Sequence, residues 1–229
     1  MAIKYLVNSA KQIETLVSFY SNTINRSRFG DPAKFTGVSG RLTELIAFVE
    51  DGARTVTALA SDETKTDVAR NVAARTVADR TARLIFDTRD YLLTRAHELQ
   101  TNGQADAERS FAPRGSAYAA LDAEYRTWMR ENMRTPDGIA KVNEQVRKDF
   151  VAASILFHSP ACLTGFSDEA HGRMKLAVVE RHLPNVYASL NEGVEIETLA
   201  KRYDKAAKDV HSSFYDGNLA QRGETRVEV

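Results

Sequence analysis

DETKTDVARNVAARTVADRTARLIFDTRDYLLTRAHELQTNG, residues 62–103, contains no proline and no glycine until its last residue. An uninterrupted stretch of this kind predicts one helix of up to about 40 residues, on the order of 60 Å long. Val77, Leu84, Ile85, Tyr91, Leu92 and Leu99 share one face at about 100° per residue. Val68 and Val72 fall nearly opposite, with Phe86 and Leu93 close to them. A helix apolar on two sides is expected to be packed on more than one, as the central rod of a bundle or a bridge between packing units.

The same helix carries Arg70, Arg75, Arg80, Arg83, Arg89 and Arg95. A five-residue step turns about 140° net, so these cations wind around the cylinder and build no single basic face. Asp79 stands four residues from both Arg75 and Arg83, and Asp87 four beyond Arg83, the spacing of helical ion pairs. Residues 54–100 hold eight basic and seven acidic side chains, so this segment reads as a balanced flank and not as a nucleic-acid stripe.

Working outward, Ser9 with Gln12 has the spacing of a capping box, and Ile13, Leu16, Val17, Tyr20 and Ile24 recur at helical spacing, predicting a helix over 9–24. NRSRFGDPAKFTGVSG, residues 25–40, is rich in Gly, Pro and Ser and reads as loop. Leu42, Leu45, Ile46 and Val49 predict a helix over 41–50 with Gly52 as its stop. Beyond a polar loop at 102–115, Ser116 is placed to cap a helix whose inner stripe is Leu121, Tyr125, Trp128 and Met129. Thr135-Pro136-Asp137-Gly138 turns the chain, and a further helix is expected to run to His158, ended by Ser159-Pro160. A helix from Ser167 stops before Pro184, a short one follows to Gly193, and a last one covers Glu195 to Phe214. Seven or eight helices and no run of strands predict an all-α, multi-helix bundle with one very long central helix and short extended terminal arms. Residues 1–217 are expected to form a single helical domain, with a sub-boundary at 102–115, and 218–229 an extended or flexible tail.

Composition narrows the function classes. The 229 residues carry 31 basic and 31 acidic side chains, so the surface as a whole is no phosphate-attracting field, although residues 1–41 hold six cations against two acids. The single cysteine, Cys162, forms no internal disulfide, and the start MAIKYLVNSAKQIETL lacks a signal-peptide apolar run. The expected setting is a reducing, cytoplasmic-type environment or a virion, without a membrane span.

Asp168-Glu169-Ala170-His171 spells the signature of helicase-type ATPases. That chemistry needs a buried strand before the acids and a G-x-x-x-x-G-K-[ST] phosphate loop, and this chain has neither pattern. Ser167 followed by two acids reads instead as a capped helix start. The five histidines, His97, His158, His171, His182 and His211, form no H-E-x-x-H and no Glu-x-x-His pair, and Asp168 with His171 is a weak metal pattern, so no cofactor or metal ligand is assigned. Gly37-Val38-Ser39-Gly40 lacks the G-x-S-x-G elbow, and Cys162 has no neighbouring cation to activate it. No catalytic residue is assigned.

Two segments carry candidate contacts. Arg26, Arg28, Phe29, Lys34 and Phe35 interleave cations with aromatics, the one place where nucleic acid could be met; the alternative is that both rings tuck under the bundle. Ile3, Tyr5 and Val7 alternate at one end and Thr225, Arg226, Val227, Glu228 and Val229 at the other, the pattern of extended assembly arms. The expectation is a non-enzymatic structural or assembly protein, a subunit of a homo- or hetero-oligomer with protein partners, such as a phage neck, connector or internal virion protein. The rival is a ligand-binding regulator or enzyme with a dispersed pocket drawn from Tyr91, Arg95, His97, Trp128 and His158.

Overall fold

The computed structural model describes residues 4–224, among which every regular element is helical. The all-α class follows, with twelve α-helices and two short 3-10 turns. The chain divides into two compact units, residues 1–96 with 195–229 and residues 97–194. Both divisions fall inside helices. One is α4, Asp67–Ser110, 44 residues long, and the other is α10, Pro184–Ala200.

In the first unit, α1 spans Ala10–Ser18 and α2 spans Asn22–Phe29, so the single helix expected over 9–24 is broken. The break has a cause in Phe19, which turns fully inward, and in Asn25, whose buried Nδ2 donates to the Phe19 carbonyl at 2.7 Å. Ser21 caps the new helix by accepting from the Ile24 amide. The predicted loop is therefore helical through Phe29, and Gly30, at φ 98°, ends it in a conformation open to glycine. Ser9 makes no side-chain cap; Gln12 reaches away to donate to the Ser212 carbonyl at 2.8 Å and ties α1 to α11.

α3 runs Ser39–Ala60, straight through the expected stop at Gly52. A Cβ there would lie 2.9 Å from Thr81 Oγ1, so this glycine serves close approach to α4 and not termination. The expected last helix over 195–214 is also two, the end of α10 and α11, Tyr203–Phe214, joined by a turn at 201–202. Gly193 is a buried position within α10 and does not end it. The core of this unit gathers Leu16, Leu42, Leu45, Val49, Ile85, Leu92, Val210 and Phe214, with Phe19 edge-on to Phe214 at 5.8 Å and Phe29 edge-on to Tyr203 at 5.5 Å.

Residues 218–224, expected as tail, belong to α12, Gly217–Glu224. Asp216 opens it by accepting from the Asn218 amide at 2.9 Å, and Ala220 is buried. Gly223 sits so close to Val68 and Val72 that a Cβ would clash with the Val72 side chain. The second apolar face of the long helix is thus partly covered, at its beginning, by the chain's own last described helix, which leaves Val68 half-buried and Val72 37% exposed. The assembly-arm residues Thr225–Val229, and Ile3 of the other arm, lie outside the described residues; Tyr5 is half-buried and Val7 buried in non-helical backbone.

In the second unit the expected loop 102–115 is helical to Ser110, and Gly103 within it is a close-approach position against Leu190. Ser116 caps nothing; a 3-10 turn, Ser116–Tyr118, leads into α5, Ala119–Asn132. The predicted helix ending at His158 is two, α6, Pro136–Lys148, and α7, Phe150–His158. Asp149 separates them: extended in backbone, it accepts from the Val151 amide at 2.8 Å and caps α7. A short turn of helix, α8, Ala161–Thr164, ends on left-handed Gly165 and precedes α9, Asp168–His182. The core collects Phe111, Met129, Val142, Val146, Leu156, Met174 and Val178, with Phe111 stacked on Phe150 and Phe157.

Candidate functional site

α5 and α6 leave between them an open groove of about 380 Å³ lined by Leu121, Glu124, Tyr125, Trp128 and Gln145. Three of the four residues expected as the inner stripe of α5 are here; only Met129 is buried, and Leu121 is 42% exposed. The reason is register. Met129 belongs to the core shared with α6 and α7, while Leu121, Tyr125 and Trp128, at i, i+4 and i+7, look along the edge of that core. The Tyr125 hydroxyl donates to Asp149 Oδ2 at 3.2 Å, and Gln145 Nε2 donates to the same oxygen at 3.2 Å. Burial, reinforced by the Asp149 charge, pushes the Tyr125 phenol upward from its ordinary value, so it stays a neutral donor. With the Tyr125 hydroxyl and the Gln145 amide engaged, what the groove offers a visitor is chiefly apolar and aromatic surface with a carboxylate, Glu124, at its side. Such a wall binds side chains by area and exclusion of water.

Asp149 was not legible as a site residue. It looked like one more polar residue inside a long helix, yet it caps α7 and organises the groove wall.

The helicase-like letters resolve as local structure. Ser167 Oγ accepts from the Ala170 amide, Asp168 and Glu169 lie in the first turn, and Glu169 pairs with Arg173 at 2.7 Å. His171 is buried, with Nε2 at 3.0 Å from the Leu156 carbonyl; burial, its largest influence, pulls its pKa below the ordinary value. His182 Nε2 likewise meets the Val146 carbonyl at 2.9 Å. Among the described residues, no cluster of three or more His, Cys, Asp or Glu is arranged to hold a metal ion. Cys162 is exposed.

In the first unit the interleaved loop residues part company. Phe29 and Phe35 are buried, so neither ring is open to stack on a base. Arg26 is 3.8 Å from Asp31, Lys34 pairs with Glu195 at 3.0 Å and lies over Phe35, and Arg28 stacks on Phe19 at 4.2 Å. The dispersed-pocket residues do not converge within either unit. Tyr91 is exposed on α4; in the other unit Trp128 lines the groove, whereas His158 lines a separate cavity of about 150 Å³ with Arg126, Ser154 and Pro160. No helix among the described residues is long and apolar enough to cross a membrane.

No protein-family model, no curated protein and no solved structure matches this chain.

Proposed function

We propose that this protein is a non-enzymatic structural subunit that assembles with protein partners into a larger oligomer, of the kind that builds the neck, connector or interior of a virus particle. The observation that carries the reading is the α5–α6 groove, where exposed Leu121 stands beside half-buried Tyr125 and Trp128, and the Tyr125 hydroxyl and Gln145 amide are already bonded to Asp149. A partly exposed aromatic and aliphatic wall of this kind is suited to an apolar side chain from another chain. Phe86 and Leu93 on α4, each 37% exposed, add further exposed apolar surface in the other unit. The virion setting is suggested by the 44-residue helix together with the alternating sequence of Thr225–Val229.

Light scattering across a concentration series tests the reading. The chain is expected to self-associate, or to form a complex of defined mass with a co-expressed protein encoded beside it. Leu121→Asp should reduce that mass while leaving the melting temperature in place, because the side chain is half in water already. A monomer at every concentration that joins no neighbour, or an assembly indifferent to Leu121→Asp, overturns it.

A further inference from the structure

Arg28, Lys201, Arg202 and Lys205 line a single open pocket of about 490 Å³ in the first unit, completed by Ala206 and Asp209. The volume lies within the range of about 300–1,000 Å³ typical of small-molecule sites. Four cations line it with one carboxylate, and with Glu197 pairing Lys201 a local excess of two positive charges remains in a chain whose charges cancel overall.

The four cations are held differently. Arg28 is fixed: Nη2 donates to Ser18 Oγ at 2.7 Å, Nη1 to Asn25 Oδ1 at 3.4 Å, and the guanidinium lies over the Phe19 ring. Burial disfavours its charge, and Asp209 partly restores it. Lys201 is engaged with Glu197 at 2.7 Å. Arg202 and Lys205, both exposed, have no carboxylate in ion-pair range among the described residues, and Asp209 is the one acid that lines the pocket with them. The turn at 201–202 also opens α11, whose N-terminus has no side-chain cap and whose first turn carries Asp204, paired with Arg89 at 2.5 Å. Lys205 and Asp209, four residues apart on α11, share one face, so a ligand reached by the lysine also meets the carboxylate.

We infer that this pocket binds a small hydroxylated phosphate monoester, its phosphate between Arg202, Lys205 and Arg28 and its hydroxyl donating to Asp209. A bare polyanion would be repelled by Asp209, whereas a phosphate ester with a hydroxyl arm satisfies both signs of charge. The site is independent of the assembly reading, since it uses none of the groove residues.

Titration calorimetry with glycerol phosphate, inorganic phosphate at matched ionic strength and a single-stranded oligonucleotide tests the assignment on the full chain. Glycerol phosphate should bind more tightly than inorganic phosphate, and the double variant Arg202→Gln/Lys205→Gln should weaken it by at least about tenfold, some 1.4 kcal/mol. Both side chains are exposed, so the variant's helical melting curve should match the parent's. Absence of binding at millimolar glycerol phosphate, or equal binding by the double variant, overturns the proposal. Steeply salt-dependent binding of the oligonucleotide with none of glycerol phosphate overturns it in favour of a nucleic-acid backbone.

Discussion

His171 Nε2 donates to the carbonyl oxygen of Leu156 across 3.0 Å, in the interior of the second unit. The residue four beyond Leu156 is Pro160, which has no amide to offer that carbonyl. The histidine replaces the missing proline donor and holds the end of α7 to α9. Because the bond requires a proton on Nε2 and the ring is buried, the neutral tautomer is the one stabilised by folding.

His171 should therefore give the protein an acid-side weakness. Its pKa is lowered on folding, so the unfolded chain binds the proton more readily, and stability falls as pH drops from about 6.5 toward the lower folded value. Thermal melts of the parent at successive pH values through that window should show the decline, and His171→Gln, which can still donate but does not titrate, should flatten it. An identical pH slope in parent and variant would show that other groups set the acid limit.

Tyr203 plays the corresponding part in the first unit. Its hydroxyl donates to the Phe29 carbonyl at 2.7 Å at the end of α2, and its ring is edge-on to Phe29. Tyr203→Phe leaves a buried carbonyl without its donor and should cost about 1–3 kcal/mol in urea unfolding. Burial also raises the phenol's pKa on folding, so stability is intact below about pH 10 and is lost as pH rises beyond it. Ultraviolet titration should show one tyrosine that ionises only with unfolding, and Tyr203→Phe should remove that component. A Tyr203→Phe protein as stable as the parent would argue that the bond is not needed.

These two bonds mark where sequence reading stops. Helix starts governed by adjacent residues were readable, as Ser167 before Asp168 and Pro184 at the first turn of α10 demonstrate. Helix ends closed by distant side chains were not: Tyr203 on Phe29, Ser154 on Phe111, His171 on Leu156 and His182 on Val146 join residues 15 to 174 positions apart. Periodicity places a residue on a face but does not say how deep that face lies, so Leu121 and Met129 looked equivalent although one lines the groove and the other is fully buried. The basic pocket escaped for the same reason, since Arg28 and Lys205 meet only through the fold. Gly52, Gly103 and Gly193 were read as punctuation, whereas all three lie inside helices and the first two give room to a neighbouring side chain.

Gly138 provides a direct test of that last point. It sits in the first turn of α6, its amide donating to the Thr135 hydroxyl, and a Cβ there would lie 2.0 Å from the Asn132 carbonyl oxygen. Helix propensity alone predicts that Gly138→Ala stabilises by up to about 1 kcal/mol. The backbone contact predicts the opposite sign, a loss of about 1–3 kcal/mol, since a carbonyl cannot rotate away as a side chain can. Denaturant titration distinguishes the two by direction, and a stabilised variant would mean that α6 shifts at little cost.

Two truncations separate the packed part of the C-terminal segment from the part beyond it. The Asp216 amide donates to Asn71 Oδ1 at 2.8 Å, and from this anchor α12 buries Ala220 and lays Gly223 on Val68 and Val72. Truncation after Asp216 uncovers that apolar face of α4, and a loss of about 1–2 kcal/mol would lower the melting temperature by roughly 2–8 °C for a chain of this size. Truncation after Glu224 retains the anchor and the packed helix and should melt like the parent. If Thr225–Val229 act as an assembly arm, the shorter truncation changes the mass seen by light scattering without moving the melt, whereas the longer one changes both. Equal melting temperatures for parent and longer truncation would mean that α12 adds nothing to the first unit's stability and that its contact with Val72 is incidental.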